Sequence, residues 1–110
     1  MATANFYGKG ENLDYVNSGE SKIAAGDIVL IGKRLAVAAC DIAAGAVGAV
    51  IVSGVFKLPK AAEALTMGAL VYWDATNACV TATSTSNTLC GFCTEDAAKD
   101  DATVAVKINA

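Results

Sequence analysis

Apolar residues in this chain come in runs of three to six, each cut by Gly, Asp or Lys, and that spacing selects short strands over helices of ordinary length. Such runs lie at 27–31, 35–39, 47–52 with a continuation at 54–56, 70–73, 79–83, 88–92 and Thr103–Ile108. Turn residues separate them: Gly32-Lys33, Ala44-Gly45, the stretches 74–77 and 84–87, and the acidic 99–101. Thr103–Ile108 alternates most cleanly, with Val104, Val106 and Ile108 on one face and Thr103, Ala105 and Lys107 on the other. About seven short strands at this spacing predict an all-β domain, a small barrel or sandwich. One stretch departs from the pattern. Residues 59–67 read either as a short helix, with Pro59 at its first position and Gly68 as its stop, or as an irregular connector.

At 110 residues the chain has room for one modest core. Residues 1–20 are polar and glycine-containing, with Phe6, Tyr7, Leu13 and Tyr15 as isolated apolar anchors. This is the composition of an extended N-terminal arm that either adds a strand to its own domain or reaches for a partner. The remainder, 21–110, is read as a single β domain. Inside it, 35–52 and 89–106 match without gaps at an offset of 54, through Leu35/Leu89, Ala43/Ala97, Ala44/Ala98, Val50/Val104 and Val52/Val106, with Asp41 opposite Glu95. The match suggests two pseudo-repeats, 26–56 and 68–108, with an extra hairpin inserted over 74–87.

The chemistry available to the chain is narrow. It has no histidine, which removes the commonest general base, the Ser-His and Cys-His nucleophile pairs and the usual nitrogen ligands of zinc. Glu95-Asp96 and Asp100-Asp101 sit in turn sequences, where adjacent carboxylates face water. Cys90-Gly-Phe-Cys93 has C-x-x-C spacing, but it lies in a β run rather than opening a helix. Cys40 and Cys79, the other two of four cysteines, lack a second knuckle. The thiols therefore read as small buried hydrophobes, with no cofactor, no metal and no disulfide. Gly26 to Arg34 is no phosphate loop: five residues separate its glycines and Arg34 stands where a hydroxyl is needed. Net charge is −3 and the eight basic residues are scattered, so no nucleic-acid footprint is expected. No run approaches the length of a membrane span, and no secretory signal opens the chain, so synthesis and use without export are expected.

Several stretches together resemble the capsid cement proteins of tailed phages. They are Asn5-Phe6, Ala25-Gly-Asp-Ile-Val-Leu-Ile-Gly32, Leu35-Ala-Val-Ala38, Asp41-Ile-Ala-Ala-Gly45, Gly54-Val-Phe-Lys-Leu-Pro-Lys60, Val71-Tyr-Trp-Asp74 and Asn87-Thr-Leu-Cys-Gly91. The combination of G-V-F-x-L-P-K with V-Y-W-D is its most specific part. The resemblance implies a non-enzymatic structural protein of the virion, made in the host cytoplasm, that binds the outside of an assembled head and reinforces it. Its partners would be the major capsid protein and further copies of itself, a trimer being favoured. For capsid contact the expected residues are Phe6, Tyr7, Leu13 and Tyr15, and for core or oligomer interface Val55, Phe56, Leu58, Tyr72 and Trp73. A β-clip or barrel-type ligand-binding domain is the alternative, because G-D-x-V strands recur in such folds. Converging polar groups in a pocket would mark that alternative, and broad apolar patches would mark a cement protein.

Overall fold

Each run that reads as a strand in the sequence carries one in the structure, a computed structural model that describes residues 3–4 and 9–109. Nine strands form among those residues: β1 (Asn12–Val16), β2 (Ile28–Ile31), β3 (Arg34–Ala38), β4 (Val47–Ile51), β5 (Gly54–Pro59), β6 (Leu70–Asp74), β7 (Cys79–Thr81), β8 (Thr88–Cys93) and β9 (Thr103–Ile108). They make two antiparallel sheets in the orders β1-β4-β3-β2 and β5-β9-β8-β6-β7. The architecture is a sandwich rather than a closed barrel, within a slab of 46 × 42 × 23 Å. The segment read as an arm supplies β1, which pairs with β4 from Asn12↔Ile51 to Val16↔Val47.

No helix forms over 59–67. Pro59 instead ends β5 opposite Thr103, and Lys60 and Leu65 make isolated bridges to Val80 and Ala97. Because β5 is an edge strand, it tolerates a proline without losing a ladder bond. Two turns of helix would not outweigh those long-range pairings.

A small backbone unit recurs four times. In each, the first carbonyl of a tight turn accepts from the amide three residues on: Ala24 from Asp27, Ala43 from Ala46, Thr66 from Ala69 and Ala98 from Asp101, each at 3.0 Å. In three of the four the third turn residue is glycine, Gly26, Gly45 and Gly68, at φ of 90°, 80° and 89°. A type II turn requires that left-handed conformation. Antiparallel bridges Ile23↔Ile42 and Leu65↔Ala97 join the turns in pairs.

The first half, β1–β4, and the second, β5, β6, β8 and β9, also share longer bonds. Gly26 N donates to Ala38 O (2.8 Å) as Gly68 N does to Cys93 O (2.7 Å), and Ala39 N to Ala49 O (3.0 Å) as Thr94 N does to Ala105 O (2.9 Å). The Asp41 carboxylate accepts from Ala25 N (2.9 Å) as that of Asp96 does from Met67 N (2.7 Å). The backbone thus sets Asp41 against Asp96 rather than Glu95. Leu35 and Leu89 do hold matching places, across from Leu30 and Tyr72. Beyond them a bulge in β8 adds a residue, because the pairing with β6 shifts between Val71 and Tyr72. Gly91 sits in it at φ 154°, where a Cβ would run into the carbonyl of Lys107. The extra residue explains a feature of the C-x-x-C segment: spaced three apart in a regular strand, Cys90 and Cys93 would face opposite ways, yet both are fully buried.

The main core lies between the sheets. Leu35 and Val37 from β3 meet Leu58, Val71, Trp73, Val80, Cys90, Cys93, Val104, Val106 and Ile108 from the five-stranded sheet. A second cluster, Val29, Ala36, Ile42 and Val50, covers the other face of the four-stranded sheet, with Tyr15 and Ile23 packed against it. That sheet is therefore apolar on both sides. Lys60 and Asn17 are the buried plugs of matching turns. Lys60 Nζ donates to the carbonyls of Ala61, Ala98, Lys99 and Asp101 at 2.9 to 3.2 Å, and Asn17 Nδ2 donates to Ser21 O and Ile42 O.

Candidate interaction surfaces

The residues expected to touch a partner divide by location. Phe6 and Tyr7 lie outside the described residues. Leu13 and Tyr15 share a face of β1: Leu13 is 45% exposed, while Tyr15 is half-buried against the second cluster. Leu13, Ile31, Arg34, Val52 and Asn109 line a solvent-open cleft of about 310 Å³. Of its two polar members Asn109 is already engaged: its Nδ2 donates to Leu35 O (2.6 Å) and Val52 O (2.8 Å) and its Oδ1 accepts from Leu35 N (3.1 Å). Among the described residues no buried side-chain nitrogen or oxygen lacks a hydrogen-bond partner.

The second set divides in the same way. Leu58 and Trp73 are buried in the main core and Phe56 is half-buried against it. Val55 is 56% exposed and Tyr72 half-exposed, because alternate strand residues point to opposite faces. They belong to the outer face of the five-stranded sheet, together with residues that sequence reasoning did not single out. Val55, Lys107, Phe92 and Leu70 are successive cross-strand partners across β5, β9, β8 and β6. Leu89, paired with Tyr72, extends the apolar strip along the strands. Leu70 and Leu89 are exposed, and nothing among the described residues covers them.

The cysteines differ in burial. Cys40 is exposed, Cys79 half-buried, and Cys90 and Cys93 are buried. No three His, Cys, Asp or Glu residues among those described could share a metal ion. Burial, and to a lesser extent the neighbouring Cys93, push the Cys90 thiol up to about 12, while burial also raises Cys93. Both therefore stay protonated and unreactive near neutrality. Two carboxylates are held below their ordinary range, Asp74 first by its side-chain bond to Asn77 and Asp41 first by the Ala25 amide and then by Lys22. These bonds fix turns, and the Lys22–Asp41 pair at 3.7 Å is exposed.

The described residues thus form a slab with two apolar clusters inside and an open, partly apolar sheet face outside. Residues 7–108 match the family described as phage cement protein. The chain belongs to that family. A cement protein is a structural component of the phage capsid, and the all-β fold found here is the one expected of it. No curated protein and no solved structure matches the chain significantly. Within the cement family, what this molecule offers its partners has to be read from its own surfaces.

Proposed function

We propose that this protein decorates the outer surface of a phage head and holds neighbouring capsomers together, with the major capsid protein as its partner. The match to the cement family along 7–108 carries the reading. The shape supports it: a plate 23 Å thick and more than 40 Å in its other two extents can lie across a seam and bury surface on both sides. A stable contact needs about 800 Å² per partner. The protein acts without catalysis, in the virion, after synthesis in the host cytoplasm. A trimer on a local three-fold site is the favoured assembly, because closed symmetry matches a capsid lattice. The chain is one domain built of two related halves behind an N-terminal segment. Phe6, Tyr7, Leu13 and Tyr15 are proposed as anchors on the capsid, Tyr15 also packing β1 against the second cluster. Val55 and Tyr72 are available at an interface, whereas Phe56, Leu58 and Trp73 serve the core.

Co-sedimentation of the purified protein with expanded heads that lack it tests the proposal. Saturable binding at regular positions, seen by imaging the pellet, is the expected result, and absence of binding to matched heads rejects it. A truncation that probes the N-terminal anchors should remove residues 2–10, because a longer one takes away β1, a strand of the domain's own sheet.

A further inference from the structure

The shared hydrogen-bond scheme of the two halves shows what the open sheet face is built to do. Ile28, Leu35 and Val37 in the first half correspond to Leu70, Leu89 and Phe92 in the second. The first set is packed into the main core, against the inner side of the five-stranded sheet. Among the described residues no further layer packs on the same face of the second half, where Leu70 is 55% and Leu89 42% exposed. The halves thus stack head to tail, and the last face of the stack stays free.

Two features say what covers it. In this chain the surface that receives such a face is the inner side of the five-stranded sheet, which includes Trp73 and Val80 of the β6–β7 hairpin. It is already filled, and the matching side of the first half has no such hairpin among the described residues and is closed by Ile42, Tyr15 and Ile23, which pack with Val29, Ala36 and Val50. A second copy therefore has no vacant receiver to offer. Charge adds the second feature. Lys57 and Lys107 stand exposed on the free face at the places that Asp14 and Ile51 hold in the first half. Two such faces meeting about a two-fold axis would bring four lysines into one interface, which repulsion of like charges disfavours.

We infer that the outer face of the five-stranded sheet docks on the capsid protein, on an apolar surface bordered by carboxylates that meet Lys57 and Lys107. The inference rests on the decorating role proposed above and names the face that performs it. Its central row, Val55, Lys107, Phe92 and Leu70, crosses four strands, roughly 14 Å at ordinary strand spacing. The apolar strip supplies the burial, and the lysines set orientation and association rate.

The test uses heads lacking the protein and three forms of the full chain: wild type, Leu70→Thr/Leu89→Thr, and Lys57→Glu/Lys107→Glu. All four changed positions are exposed, and unchanged circular dichroism and melting temperature verify the fold. The apolar double variant should bind heads on the order of 100-fold more weakly, with unchanged sedimentation as a free protein. The charge variant should associate about 10-fold more slowly at low salt, and added salt should shrink that difference. Wild-type binding matched by both variants overturns the inference while leaving the decorating role intact. A change in the oligomeric state of the free apolar variant also overturns it, by assigning the face to a second copy. Failure of wild type itself to bind heads removes both readings.

Discussion

Replacing Lys60 by Met removes an ammonium from the interior while keeping a flexible stem of similar length. Lys60 is 8% exposed, and its Nζ lies 2.9 Å from Ala98 O, 3.0 Å from Ala61 O, 3.1 Å from Asp101 O and 3.2 Å from Lys99 O. With three protons it sustains three of these bonds at once. Bonds from a charged donor are worth more than neutral ones, but residues 98, 99 and 101 are exposed and their carbonyls regain water when the donor goes. A net value of about 1 kcal/mol per bond is therefore appropriate, for a loss of about 3 kcal/mol. At about 2.1 cal/mol/K per residue, 110 residues give an unfolding entropy of about 0.23 kcal/mol/K. The melting temperature should then fall by about 13 °C. Thermal and urea unfolding of the variant measure both quantities, and an unchanged urea slope confirms that only stability moved. Lys57→Met, at an exposed position, is the control and should change stability by less than about 0.5 kcal/mol. A loss at Lys60 no larger than that of the control would refute the carbonyl cage as a source of stability.

Gly91→Ala should cost more than about 3 kcal/mol or prevent folding, because the Lys107 carbonyl cannot retreat without opening the β8–β9 ladder; expression and urea unfolding read this out. Gly48→Ala places a methyl against the Ile42 side chain, which can shift, so a smaller loss of about 1–3 kcal/mol is expected, and recovery in the double variant with Ile42→Val would verify the contact. Under native conditions at pH 8 a thiol reagent should modify Cys40 rapidly and leave Cys90 and Cys93 untouched until denaturant is added; prompt labelling of all four would contradict the burial described. For Asp74, a folded-state pKa below the unfolded one means the unfolded chain binds more protons in that window. Its contribution is present above the unfolded value near 3.9 and disappears as pH falls through the folded value. The stability difference between wild type and Asp74→Asn should therefore shrink on acidification below about pH 4, and a difference that grew there would contradict the assignment.

The strands were legible because their runs are short and bounded by turn residues, and Thr103–Ile108 was readable to the residue. For residues 1–20 a strand of the domain's own sheet was one of two readings, because Asn12–Val16 contains two polar residues and lies in a polar context, so only pairing with β4 fixes β1. Residues 59–67 carry local helix signals that lose to long-range bridges no local reading contains. The open face was hidden for another reason. Leu70-Val71-Tyr72-Trp73 is apolar on both sides of its strand, so periodicity cannot tell the core from the exterior, and the bulge at Gly91 resets the alternation of β8. Lys60 looks like an ordinary charged turn residue until the 98–101 carbonyls close around it.

The bonds made by Asn109 bear on the order in which the molecule assembles. Its side chain reaches residues 74 and 57 positions earlier, gripping Leu35 in one sheet and Val52 at the crossing between the two. Each half can form hairpins from neighbours along the chain, but the seam between them closes only when β9 is in place and Asn109 reaches back. Closure over such distances is entropically slow, so the expected folding is one late, cooperative step on the millisecond-to-second scale, with the two sheets docking together rather than in sequence.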